Sequence, residues 1–290
     1  MKERSVSGFI FDSFNVIFMI VLCVTTIYPF LYLLTMSLSP ADVSFSQIRI
    51  IPEKISFVNY EQVLGYDQVL IGFWNSLKRT VLGTFLNVAV TIAAAYVLAK
   101  KYFPHRSFWT KFIVFTMFFS GGMIPSYLLV RDLGLMNTSW ALILPVLVNP
   151  FQLIIARNFI QSLPIELEES AKIDGANDIY ILWKVIIPLS MPIIATLGLW
   201  NAVFHWNSWF DSLIYMTDTN KEVLQMVMRR IVLDGQMQVM SNVLPEDQNK
   251  LNTETIKAAT IMVTTIPIIL IYPFLQKYFM KGMLLGSVKG

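Results

Sequence analysis

The sequence predicts an all-α membrane protein with six transmembrane helices, and its composition is the first reason. Of its 290 residues, 55% are hydrophobic and only 14% are charged, and the mean hydropathy is +0.59. Soluble domains carry about a quarter charged residues. One Cys and two His argue against a disulfide framework or a multi-histidine metal site. This composition excludes a disordered, fibrous or disulfide-stapled chain and argues against a soluble enzyme.

Apolar runs long enough to cross a bilayer are the second reason, since about 20 apolar residues are needed for each crossing. The first run is longer than the apolar part of a signal peptide, contains Tyr28-Pro29 and lacks a small-residue cleavage site, so we expect it to be retained. The fifth is interrupted by prolines and polar residues. We expect residues 1–290 to form a single transmembrane domain. The predicted spans are residues 14–38, 80–99, 112–130, 140–156, 189–214 and 258–279.

Charge predicts the orientation of these spans. An even number of spans leaves both termini on one side, and the short loop after the second span carries Lys100, Lys101 and Arg106. Positive charge favours the cytoplasmic side, so both termini are expected in the cytoplasm. The large outer segments are then residues 39–78 and 216–257.

The cytoplasmic segment 163–188 predicts two short helices joined at a corner. Pro164 suits a first helical turn, and Gly175 suits a left-handed stop. Asn177 or Asp178 would cap the second helix, which we expect to break at Pro188. Small residues at the corner allow close approach of a backbone. Two interpretations fit: an elbow that docks in a cleft of another protein, or an amphipathic loop that returns to the membrane.

A family resemblance favours the first interpretation, an elbow that docks on another protein. Glu169-Ser170-Ala171, Gly175 and Val185-Ile186-Ile187-Pro188 resemble the EAA motif of ABC importer permeases, with Ser170, Val185 and Ile187 as mild departures. The resemblance implies a type I importer fold in which this segment is the coupling helix that docks on the ATPase. Glu169 would contact the nucleotide-binding domain, and Gly175 would form the corner. The implied coupling residues are Glu169, Ser170, Ala171, Asp174, Gly175, Ala176 and Pro188.

Two further resemblances narrow the family. The tail 276–290 is similar to that of the maltose-type second permease, which reaches the interface between the two ATPases. Segments 118–125 and 134–141 resemble the subgroup that handles complex oligosaccharides, some containing uronic acids. The tail residues implied at the ATPase interface are Gln276, Lys277, Gly282, Gly286, Lys289 and Gly290.

Polar and aromatic residues in the fifth span are candidates for the substrate path. Polar groups inside a bilayer are costly and usually face a cavity or a partner helix. Sugars bind through amide, carboxylate and imidazole hydrogen bonds and by stacking on Trp. Contact with a partner permease helix, or an interfacial tryptophan belt, are the alternatives. The candidates are Asn201, His205, Trp206, Asn207, Trp209 and Asp211, and no metal ligands are expected.

The implied function is the permease subunit of a binding-protein-dependent ABC importer for an oligosaccharide in the bacterial cytoplasmic (inner) membrane. Its expected partners are a second permease, two ATPase domains, membrane lipid and a solute-binding protein, which would meet the loop 216–257. The sequence lacks a P-loop motif, so we expect ATP and Mg to be bound by the partner ATPase. We expect this chain to hold no cofactor and to have no enzymatic activity. The sequence contains no basic tract interleaved with aromatic residues, so we expect no nucleic-acid partner. A peptide or amino acid cargo, or a secondary facilitator, is the alternative.

Overall fold

The computed structural model describes residues 6–40, 51–233 and 252–287, and every regular element within those ranges is helical. Short 3₁₀ turns cover Leu144–Val146 and Thr219–Lys221, and a π-helical turn covers Leu182–Ile186. The α-helices are α1 (Val6–Ser37), α2 (Val58–Gly65), α3 (Asp67–Ala99), α4 (Arg106–Phe118), α5 (Met123–Asp132), α6 (Ser139–Ile143), α7 (Pro150–Gln161), α8 (Ile165–Ile173), α9 (Asp178–Ile181), α10 (Ile187–Leu189), α11 (Met191–Asn207), α12 (Phe210–Tyr215), α13 (Leu224–Leu233) and α14 (Thr253–Ser287).

The described helices agree with the six predicted spans when each bent pair is counted as one span. Helices α1, α3 and α14 are each long and apolar enough to cross a membrane. Three more crossings require pairs of helices: α4 with α5, α6 with α7, and the helical run Asp178–Leu189 with α11. Within the described ranges, the type I importer permease fold expected from the sequence therefore has three continuous helices of spanning length, and up to six spans if each bent pair is one span.

Two of the three bends have a local cause in the sequence. Helices α4 and α5 meet at 112°, where Gly121 and Gly122 interrupt the third span and Gly122 has φ 90°. Helices α6 and α7 meet at 55°, and Pro150 begins α7. The run Asp178–Leu189 meets α11 at 80°. The first two bends fall within the predicted spans 112–130 and 140–156, which hydropathy alone treats as continuous.

The expected break at Pro188 is wrong by two residues, because the chain stays helical through Leu189 and bends at Ser190. A proline ring clashes with the carbonyl four residues earlier in a regular α-helix, here that of Lys184. Lys184 lies in the π-helical turn, whose wider winding accommodates the ring.

The second span begins earlier than hydropathy predicts. Helix α3 has 33 residues, and its first part, residues 67–78, occupies positions assigned to the outer segment 39–78. Hydropathy excluded that part because it contains Asp67 and Lys78 and is followed directly by Arg79. At about 1.5 Å per residue, α3 is about 50 Å long, well beyond the hydrocarbon thickness of about 30 Å. Its first turns therefore extend past the membrane core.

By its internal contacts the chain divides into two units, of which the first comprises Met1–Asp67 and Met228–Ile266. Its described part is tied together at Asn59, a buried residue of α2. The Asn59 amide donates to the carbonyls of Ser37 and Ser39 at 3.0 and 2.8 Å, and its oxygen accepts from the Thr255 hydroxyl at 2.9 Å. Three distant segments are joined by one side chain.

The second unit comprises Gln68–Val227 and Pro267–Gly290 and contains the candidate sites. A buried apolar cluster of this unit joins α3, α7, the segment 178–189 and α11. The buried members are Ile92, Ala95, Tyr96, Leu98, Leu153, Ala156, Ile160, Ile181, Ile186, Ile193 and Leu197. This core holds segment 163–188 against the end of the second span.

Candidate functional site

We refer to residues 163–188 as the coupling segment, after the role expected for them. The corner predicted within this segment is present. Gly175 has φ 83°, which favours glycine. The Gly175 N–H donates to the Lys172 carbonyl and the Ala176 N–H to the Ala171 carbonyl, each at 3.0 Å, and these bonds close the end of α8. Asn177 then caps α9 by accepting from the Tyr180 N–H at 2.8 Å.

The corner presents its motif residues outward. Glu169, Ser170, Asp174 and Gly175 are exposed, whereas Ala171 and Ala176 pack against the apolar core. Pro188 lies further along the chain, in α10. The Glu169 carboxylate is therefore available to another protein, and the backbone at Gly175 can be approached closely because no side chain covers it. The contact with an ATPase expected for these residues stays a prediction.

A cluster of charged and aromatic groups fastens the coupling segment to the end of α3. The Lys100 ammonium forms an ion pair with Glu168 and lies 3.8 Å from the centre of the Tyr96 ring. Lys100 is 8% exposed. Burial lowers the pKa of the Lys100 ammonium, and the Glu168 carboxylate opposes that shift. The ion pair therefore stabilises the charged ammonium of Lys100 in surroundings from which water is largely excluded.

The second helix of the coupling segment joins the same cluster. The Lys172 ammonium lies 3.5 Å from Glu168 and 3.7 Å from Asp178, and it donates to the Tyr102 hydroxyl at 3.2 Å. This last bond raises the pKa of Lys172. The Tyr102 hydroxyl in turn donates to Asp178 at 3.0 Å. One cluster at the end of α3 therefore comprises Tyr96, Lys100, Tyr102, Glu168, Lys172 and Asp178.

The predicted tail residues are described only in part. Gln276, Lys277, Gly282 and Gly286 lie on the helical backbone of α14, and Lys289 and Gly290 lie outside the described residues. Residues 234–251 of the predicted outer loop also lie outside them.

In the fifth span, two of the predicted path residues are buried and bonded to neighbouring helices. Asn201 is 2% exposed and donates to Gln152 of α7 at 2.7 Å. His205 is fully buried, with its Nε2 3.1 Å from the Asn87 oxygen. Its Nδ1 accepts from the Arg79 Nε at 3.4 Å, so the ring proton lies on Nε2. These are interhelical contacts within this subunit.

The remaining path residues lie at the end of α11 and beyond it. Trp206 is buried edge-on against Phe73, with ring centres 5.9 Å apart. Asn207 is exposed and donates to the Val203 carbonyl. Trp209 packs beside an apolar cluster of α5, α6 and α12. A place for any of them in the substrate path stays a prediction.

Arg79 is the functional candidate that the sequence reasoning missed. It is 1% exposed and forms an ion pair with Asp211. It also donates to the Ser208 carbonyl at 3.3 Å, at the interruption between α11 and α12, and to the Leu142 carbonyl at 3.4 Å. Arg79 thus satisfies one backbone carbonyl where the fifth span is broken and one in α6. In the sequence, a single arginine before an apolar run does not indicate that it pairs with a distant residue such as Asp211.

Comparison with known proteins identifies the family. Residues 5–285 match the family model described as "Binding-protein-dependent transport system inner membrane component". The chain is 43% identical to Protein LplC of Bacillus subtilis (strain 168) over 290 residues, covering 98% of this chain and 96% of the relative. It is 39% identical to the polygalacturonan/rhamnogalacturonan transport system permease protein YtcP of the same organism over 296 residues, covering 100% of both.

A solved structure agrees with these relatives. The chain superposes with a TM-score of 0.88 and 32% identity on a chain of the crystal structure of a bacterial ABC transporter involved in the import of the acidic polysaccharide alginate, covering 96% of this chain and 100% of that one. The fold, the coupling corner and these similarities agree, and the chain belongs to the family of binding-protein-dependent transport system inner membrane components.

Proposed function

We propose that this chain is the permease subunit of an ATP-driven importer whose cargo is an acidic oligosaccharide built from uronic acids. The observation that carries the transport role is the exposed corner at Glu169 and Gly175, which matches the coupling motif by residue and by backbone conformation. A relative named for polygalacturonan/rhamnogalacturonan and the solved structure of an alginate importer support the cargo class, because these polysaccharides contain uronic acids.

The proposed complex contains a second permease, two ATPase domains and a solute-binding protein outside. Closure of the ATPases on ATP would displace the coupling segment, and the helices would then rock between inward-facing and outward-facing states. The chain would contribute no catalytic group. Its exposed α1, whose apolar side chains face outward along the helix, suits lipid or the second permease.

We place both termini in the cytoplasm. The loop 100–106 carries three basic residues, which favours the inner side. The ion pair between Lys100 and Glu168 supports this orientation, because it requires that loop and the coupling segment to lie on the same side.

Uptake of a defined oligouronide tests the cargo. A strain that lacks this chain is compared with its parent for uptake of labelled trigalacturonate, with raffinose as the neutral control. We expect the deletion to abolish trigalacturonate uptake, to leave raffinose uptake unchanged, and to be complemented by the intact gene. Unchanged uptake of trigalacturonate in the deletion strain would contradict the uronic-acid assignment.

A further inference from the structure

Helix α3 carries one buried ionic contact in its interior, at Arg79, and a second just past its last residue, at Lys100. At the cytoplasmic end, Lys100 follows the helix and pairs with Glu168 of α8. Toward the other end, Arg79 pairs with Asp211 and donates to the Ser208 carbonyl. The first contact holds the coupling segment, and the second holds the interruption of the fifth span.

The helix between these contacts is built to move as one body. Residues 79–99 are continuously helical and contain no proline. At about 1.5 Å per residue, the two contacts are separated by about 30 Å along the axis. A helix of this length without a break transmits a displacement of one end to the other, provided that both ends are fastened.

The basic partner of each contact is buried. Arg79 and Lys100 are 1% and 8% exposed, so removing Asp211 or Glu168 would leave a buried positive charge without its acidic partner. Lys100 is also held over the Tyr96 ring, and the Tyr102 contacts with Lys172 and Asp178 reinforce the same end. Glu168 and Glu169 are neighbours on α8, but Glu168 turns toward Lys100 while Glu169 stays exposed.

We propose that Lys100 and Glu168 are positioning residues that connect the coupling segment to α3, so that α3 and Arg79 carry a displacement of that segment to the interruption at Ser208 and Trp209. A competing covalent route exists, because the coupling segment continues through Ser190 directly into α11. The proposal requires the route through α3 in addition to the covalent one. It rests on the proposed function, since it assumes that an ATPase displaces the coupling segment.

A thiol reporter beside the interruption separates the two routes. In a Cys23→Ser background, Asn207→Cys places one thiol at an exposed position at the end of α11. The complex with its ATPase is reconstituted in liposomes, and the rate of labelling by a membrane-impermeant maleimide is measured without nucleotide and with ATP plus vanadate. Lys100→Met and Glu168→Gln each remove one member of the pair. The double variant removes both and leaves no charge alone in the site.

We expect ATP plus vanadate to change the labelling rate in the otherwise unmodified complex. This change should be lost in both single variants and in the double variant, while ATP hydrolysis continues. Lys100→Arg, which keeps the charge, should retain it. Lys101→Met is the matched control, because the same change is made at the next residue, which is exposed.

Three results have distinct meanings. If the complex without these substitutions fails to retain an ATPase, the proposed function fails. If the ATPase is retained but labelling in Lys100→Met responds to nucleotide as before, the covalent route suffices and the inference is overturned. If labelling never responds to nucleotide, the interruption does not move and the inference is overturned as well.

Discussion

A single glycine makes room for the buried histidine of the fifth span. A Cβ atom at Gly83 would lie 2.5 Å from Nε2 of His205 and 2.8 Å from the two neighbouring ring carbons. The ring cannot turn away easily, because Asn87 and Arg79 hold its two nitrogens. The close approach of α3 and α11 therefore depends on the missing side chain at this position.

Substitution of this glycine measures that dependence. We expect Gly83→Ala to lower the stability of the folded subunit by about 1–3 kcal/mol, as overpacking of a core does. Thermal unfolding of the purified complex in detergent is the measurement. Gly198→Ala is the control, because a Cβ there meets no atom within 4 Å. It should be neutral or stabilise by up to about 1 kcal/mol. Equal stability of the Gly83→Ala complex and the unmodified one would show that the packing is looser than described.

At the level of single residues, the sequence drew attention to the polar groups of the fifth span but did not identify their partners. Asn201 and His205 were noticed because polar residues stand out in an apolar run. Their partners were not found, because Gln152 and Arg79 lie 49 and 126 residues away along the chain. Whether two polar side chains meet in the interior depends on how the helices pack, and a local pattern in one sequence does not show this.

At the scale of elements, the coupling segment was the most predictable part of the molecule. Its corner is set by neighbouring residues: a glycine at positive φ and an asparagine cap two residues later. The position of the next bend was less predictable, because the π-helical turn ahead of Pro188 moves the break to Ser190.

The corner can be tested by substitution at Gly175. A side chain in the left-handed region costs roughly 1–2 kcal/mol, and Asn tolerates this region better than other residues. We expect Gly175→Val to reduce the amount of ATPase that purifies with the chain, and Gly175→Asn to retain it. The amount of chain in the membrane should be the same for both. Equal retention of the ATPase by both variants would show that the corner conformation is not required for docking.

At the scale of the whole molecule, the number of spans followed from composition, and their shapes did not. The bilayer sets a minimum length for each apolar run, so counting runs gives the number of crossings. Hydropathy averages over a window and cannot detect the 112° bend at the paired glycines of the third span. It also began the second span too late in the chain, since it cannot anticipate that the charge of Arg79 is paired and buried.

The central claim is that this chain works as the membrane subunit of a complex whose ATPase docks on the coupling segment. The most direct test is purification of the tagged chain in mild detergent from its native membrane, followed by mass spectrometry of what accompanies it. Glu169→Lys is compared with Glu166→Lys, a second exposed glutamate of α8 that lies outside the motif.

We predict that the unmodified chain and Glu166→Lys recover an ATPase with a P-loop motif and a second permease of similar length. Glu169→Lys should lose the ATPase and keep the second permease, because the added charge opposes docking without disturbing the spans. Recovery of the unmodified chain alone or as a homodimer, under conditions that hold a known ABC importer together, would contradict the account.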